Sequence, residues 1–196
     1  MIGSLVADTN PLDDLRGASG AMSAVVDGVR ADQWQLRTPC SEWTVAQVVD
    51  HVTVGSLRFA SLVDGHHRVA ADVTRAMDRP LATRAALRTL IEAFSTRGAI
   101  QRPVTLSAGA VPGPTGVGLQ VVELLAHGWD VATATGQTLT CPDPITEWAI
   151  QTIVPLLPRF PPERALFAPP LRVSKDASTI DRLVALLGRD ACWKAP

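Results

Sequence analysis

Segment after segment of this chain sets its apolar residues three and four apart, and most of these segments open on a capping residue or a proline. That pattern predicts helices and leaves little material for a sheet. Asn10-Pro11 reads as the cap and first position of a helix carrying Leu12, Leu15, Met22, Val25, Val26 and Val29, ended before Asp32-Gln33-Trp34. Thr44 with Gln47 three residues on is a capping box, which predicts a second helix to about Val63, stopped by Asp64-Gly65. Its apolar face holds Val45, Val48, Val49, Val52 and Leu57, and His51 on the edge of that face is expected to point to the core. Beyond Arg79-Pro80, the residues Leu81, Ala85, Leu87, Leu90, Ile91 and Phe94 predict a third helix. A fourth is predicted from about Gly116 to Thr135, stopped by Gly136. Pro142-Asp143-Pro144 opens a fifth, and Ser178 or Thr179 caps a short last one over Ile180–Leu187, stopped by Gly188.

Two pieces read as extended: an arm formed by Pro103–Leu106 with Ala110-Val111, and the run Phe167–Val173. The expected architecture is all-α: main helices over about 10–136, a small extended arm, and a C-terminal helical extension within 137–196. A length of 196 residues suits one such domain, 1–196.

Charge and composition narrow the function. A formal net charge of -1 argues against nucleic acid, which needs a basic surface, and against an anionic membrane. No apolar run approaches the length of a membrane span. The start, from Met1 to Asp8, lacks the features of a signal peptide. Cys40, Cys141 and Cys192 are far apart and form no CxxC, so a reducing cytoplasm is the expected compartment. The sequence has no tyrosine, and its histidines are only four: His51, His66, His67 and His127.

One constellation carries chemistry. Gln120, Glu123, His127 and Asp130 fall three and four apart on the fourth predicted helix and share a face. Glu123 and His127 stand on adjacent turns, close enough to bind one metal ion, and His51 from the second helix is the candidate third ligand. A His₂Glu set matches zinc sites that keep a position open for water or substrate. Asp130 is either an acceptor for the His127 ring N–H, fixing its tautomer, or an ordinary surface carboxylate. Gln120 is expected to face solvent, His66-His67 to be loop residues, and Cys40 to be a small buried loop residue. Arg84 and Arg88 are expected to pair on the surface.

The same residues carry a resemblance. Thr38-Pro39-Cys40-Ser41-Glu42-Trp43-Thr44-Val45, followed by Val48-Val49-Asp50-His51-Val52, resembles the TPCxEWTV…H block of an actinobacterial metal-binding family. That family is a branch of the DinB-like superfamily, related to the N-terminal domain of mycothiol-dependent maleylpyruvate isomerase. Glu123-Leu124-Leu125-Ala126-His127-Gly128-Trp129-Asp130-Val131-Ala132 is similar to its ExxxHGWD block, and Asp181–Arg189 to its usual ending. Ser41 stands where a proline is common, and Val131 where a leucine is.

The resemblance implies a DinB-like four-helix bundle with a long crossover. It also implies a divalent metal, commonly zinc, on His51, Glu123 and His127. Members of the superfamily use a low-molecular-weight thiol, mycothiol in actinobacteria. The expected activity is therefore that of a thiol S-transferase or isomerase. A thiol entering an open zinc position loses its proton and attacks a small electrophilic substrate. The alternatives are a metal-activated hydrolase, lyase or cyclase of secondary metabolism, and a non-catalytic structural or sensory metal-binding protein, with homodimerisation through exposed helix faces as an option.

Overall fold

A computed structural model of the chain describes residues 10–66, 78–106, 109–159 and 167–195. The element order is α1 (Pro11–Asp27), α2 (Val45–Asp64), α3 (Arg79–Ser95), β1 (Val104–Leu106), β2 (Gly109–Val111), α4 (Gly113–Thr135), α5 (Asp143–Ile153) and α6 (Thr179–Leu186), with a single 3-10 turn at Leu157–Arg159. Among the described residues the protein is all-α apart from the two-stranded β1-β2 arm.

The helices begin where the capping chemistry says. The Asn10 side chain accepts from the Leu12 N–H, and Pro11 follows it. Thr44 and Gln47 close a reciprocal capping box at the head of α2. Gly65 and Gly136 end α2 and α4 in the left-handed conformation. α4 starts earlier than the sequence suggests, at Gly113, with a proline in its first turn. The arm pairs antiparallel, Val104 opposite Val111 and Leu106 opposite Gly109. The run Phe167–Val173 forms no strand; its Leu171 N–H donates to the Ala185 carbonyl instead.

Contacts between the helices fix their directions. Asp50 meets Arg79 and Thr53 meets Thr83, so α2 and α3 run parallel. His51 meets Glu123 at one level and Phe59 lies beside Gly116 at another, so α2 and α4 run antiparallel. Met22 lies beside Gly128, and Gln137 beyond α4 bonds the Val25 carbonyl, so α1 runs with α4. The order is up, down, down, up. Two parallel neighbours require the chain between them to return the length of α2, about 30 Å at 1.5 Å per residue. Residues 67–77, which join α2 to α3, lie outside the described residues, and with them the loop expectation for His67.

One hydrophobic cluster runs through the molecule. It joins Leu15, Met22 and Val26 of α1, Val48, Val49 and Val52 of α2, Leu87, Leu90 and Phe94 of α3, and Val121, Leu124 and Leu125 of α4. It continues into Ile145, Ala149 and Ile153 of α5 and Leu183 and Leu187 in and after α6. Each fully buried leucine or phenylalanine stabilises the fold by roughly 1.5–3 kcal/mol. α4 sits at the centre, in contact with α1, α2, α5 and α6. Gly118 allows that crowding: a Cβ there would lie 2.6 Å from the Thr152 hydroxyl on the helical turns of α5. Among the described residues, no helix is long and apolar enough to cross a membrane.

Candidate metal centre

Three elements meet at the middle of α4. Spacings of four and three bring Glu123, His127 and Asp130 to one face of that helix. α2, antiparallel to it, brings His51 two turns past the Thr44 cap. The loop before α2 brings Cys40 and Trp43, and the segment after α6 brings Arg189.

The predicted donors converge. One ring nitrogen from each of His51 and His127 and one Glu123 carboxylate oxygen all lie within 4.8 Å of one another. Glu123 Oε2 is 3.6 Å from His51 Nε2 and 3.4 Å from His127 Nε2. Zinc bonds of about 2.1 Å at a tetrahedral angle put neighbouring donors about 3.4 Å apart, so the donor set fits such an ion. A second trio, Cys40, His127 and Asp130, meets the same 4.8 Å limit and shares His127.

Behind the donors runs a buried chain of charge. His127 Nδ1 is 3.0 Å from Asp130 Oδ2, which leaves Nε2 facing Glu123. Arg189 Nη2 donates to the same Asp130 oxygen at 3.1 Å, and its Nη1 donates to the Leu187 carbonyl at 3.1 Å. The Asp130 side chain is 0% exposed and that of Arg189 8%. Asp130 is thus the acceptor for the imidazole, and not a surface carboxylate. Arg189 also lies over the Phe167 ring, 5.9 Å from its centroid.

The charges act on one another. Burial opposes ionisation of Glu123, but the neighbouring His127 and His51 imidazoles outweigh it and hold the carboxyl far below its ordinary range. Burial likewise opposes a charged His127, but the hydrogen bonds to Asp130 and Glu123 prevail and raise its pKa to about 9. Burial, then the Asp130 charge, raises the Cys40 thiol, so that thiol stays protonated.

Several expectations are corrected. The His51 side chain is 43% exposed, not core-directed, while that of His127 is 6% exposed. His51 stands on the rim of the α2 apolar face, where the donors lie beside the core and not within it. Gln120 is buried at 8%, because α4 is enclosed and little of its polar face reaches water. Cys40 is only half-buried and lies against the site. His66 is an exposed residue 3.3 Å from the Asp64 carboxylate, as a loop histidine should be. Arg84 pairs with Asp27 on the surface, and Arg88 is exposed.

Two residues at the site were given no role by sequence reasoning. Trp43 packs its ring on both imidazoles, with centroids 4.5 Å from His51 and 5.8 Å from His127. Its signal is its place just before the α2 cap. Arg189 is the other, and its signal is a cation directly after the Gly188 stop of an apolar helix.

Comparison with known proteins places this chain in a family. The family model described as "Mycothiol maleylpyruvate isomerase N-terminal domain" matches residues 15–132. That span contains His51, Glu123, His127 and Asp130. Two uncharacterised proteins from two strains of Mycobacterium tuberculosis, CDC 1551 and H37Rv, are each 33% identical over 188 residues, covering 92% of this chain and 98% of theirs. The crystal structure of a mycothiol-dependent maleylpyruvate isomerase aligns with a TM-score of 0.56 and 16% identity. It is matched over 70% of this chain and 65% of its own, just under two thirds of its length. A histidine-to-alanine mutant of that isomerase aligns with the same score at 15% identity. At those identities the solved structures speak for the fold. The family model covers more than half of the chain, and the chain belongs to the mycothiol maleylpyruvate isomerase N-terminal domain family.

Proposed function

We propose that this protein is a divalent-metal-dependent enzyme that activates a low-molecular-weight thiol, mycothiol above all, for S-transfer to a small electrophile or for its isomerisation. The observation that carries this is the convergence of His51, Glu123 and His127 at zinc-donor spacing, with Glu123 and His51 partly open to solvent. Three donors partly open to solvent suit a site that admits a ligand; a structural site closes itself with four. A divalent ion there would lower the pKa of an entering thiol enough to make it a nucleophile at neutral pH.

The remaining work falls to the chain. Asp130 holds the His127 ring so that Nε2 faces the donors, and Arg189 holds Asp130 in place. Trp43 walls the site beside both imidazoles. The sequence has no tyrosine, and the nearby Cys40 thiol is held protonated, so an incoming thiol is the best nucleophile available. The native metal is proposed as zinc, and the compartment as a reducing cytoplasm where such a thiol persists.

The test is a purified sample analysed for metal, then offered small Michael acceptors with and without mycothiol. The expected result is about one zinc per chain, from the single three-donor site, and turnover that needs both thiol and metal. Turnover without thiol would overturn the thiol assignment in favour of a hydrolase, lyase or cyclase.

A further inference from the structure

The two histidines of the site are held by different means. A metal-binding imidazole is usually oriented by a hydrogen bond from its other ring nitrogen. His127 follows that rule through Asp130 at 3.0 Å. His51 does not. Its ionic neighbour is Glu123 at 3.6 Å, on the donor side, and among the described residues its ring makes no hydrogen bond on the other side. A 43% exposed side chain with one loose contact would sample several rotamers.

What does lie against it is the Trp43 indole, tilted by 43° with ring centroids 4.5 Å apart. The indole also touches His127, so it spans the gap between the two imidazoles, whose own centroids are 5.1 Å apart. Trp43 is in turn fixed by its loop. Its backbone N–H donates to the Cys40 carbonyl at 2.8 Å. Its carbonyl accepts from the Thr38 hydroxyl at 2.9 Å, and Thr38 is 2% exposed. Arg37 pairs with Thr44 across the loop, and Thr44 caps α2, the helix that carries His51. The Trp43 backbone therefore sits at a defined position relative to α2, with its indole against the His51 ring. Its negative π-face suits an imidazole that carries positive charge, whether from a proton or from a bound cation.

We infer that Trp43 is the positioning residue for His51, doing by ring packing what Asp130 does for His127 by hydrogen bonding. This rests on the metal-centre reading, but it also has a consequence in the metal-free protein. There the indole ring current, 4.5 Å away by ring centroids, should shift the His51 ring protons.

The experiment uses the full chain with ring-labelled histidine, as wild type, Trp43→Ala and Trp43→Phe. In metal-free wild type the His51 ring protons should be shifted by the indole; in Trp43→Ala they should return to ordinary positions. Zinc competition titration should show Trp43→Ala weakened about tenfold, at the low end of what losing an orienting partner costs. Trp43→Phe keeps an aromatic face and should recover most of that loss. Zinc affinity unchanged in Trp43→Ala would overturn the inference. So would a loss of affinity with the His51 ring protons unmoved, or no recovery in a folded Trp43→Phe. Wild type that binds no zinc would defeat the metal-centre reading instead, and the ring-proton shift would still decide whether Trp43 holds His51.

Discussion

The α4 side of the site and the α2 side are built on opposite plans. On α4, His127 is 6% exposed and backed by Asp130 and Arg189, a line of buried charge with every member paired. On α2, His51 is 43% exposed and leans on an indole. Buried ion pairs are costly to assemble and costlier to break, so the first plan gives fixed geometry. Ring packing at a solvent-exposed edge costs little and leaves room beside it, so the second plan gives access. A site that must hold an ion and still admit a ligand needs both.

The comparison can be broken most severely at the donors. Glu123→Ala and His127→Ala should each abolish zinc binding, read by equilibrium dialysis, because they remove donors from the rigid side. His51→Ala should also lose zinc, yet leave the urea midpoint of the metal-free protein almost unchanged. A His51→Ala protein with full zinc content would show that the exposed side holds nothing.

A smaller effect separates the two plans by stability. Arg189→Met leaves the Asp130 carboxylate buried without its strongest partner and should cost about 3 kcal/mol in metal-free unfolding. Asp130→Asn keeps the shape but weakens the hold on His127, and zinc affinity should fall roughly 10- to 100-fold. If Arg189→Met unfolds at the wild-type urea concentration, the buried chain is not what fixes the rigid side.

The smallest effect is a pH window for the metal-free protein. Glu123 is held below its ordinary value of 4.5, so the stability it contributes is present above that pH and lost as pH falls toward the lowered value. His127 is raised from 6.5 to about 9, so its contribution is complete below 6.5 and lost as pH rises through about 9. Metal-free stability should therefore peak between about 4.5 and 6.5 as far as these two groups decide it. A urea-midpoint profile that rises steadily from pH 6.5 to 9 would contradict the charge pairing of His127.

How much of this was legible in the sequence follows from how local each feature is. The helices and the shared face of Glu123, His127 and Asp130 are set by spacing and caps within a turn or two, and they read directly. The meeting of His51 with that face needed α2 to lie against α4; its place beside the apolar face of a neighbouring predicted helix raised that expectation, and the family-like blocks pointed to the same residue. The exposure of His51 did not read, because periodicity gives the direction of a side chain and not the distance to the next helix. Gln120 failed for the converse reason: a polar residue on a polar face is buried when other helices enclose it. Arg189 was invisible as a partner because its contact with Asp130 spans 59 residues, and no local pattern encodes such a pair.

The up-down-down-up order of the helices also has a kinetic consequence. Many small metal sites are knit from ligands close in sequence, so the ion can gather a short stretch of chain and nucleate its folding. Here Glu123 and His127 can meet on a single nascent helix, but His51 joins them only when α2 docks antiparallel on α4. That is a contact of high order, reached after loop closure has been achieved without help from the ion. An ion bound there would therefore arrive at a finished bundle, and would reward folding without guiding it.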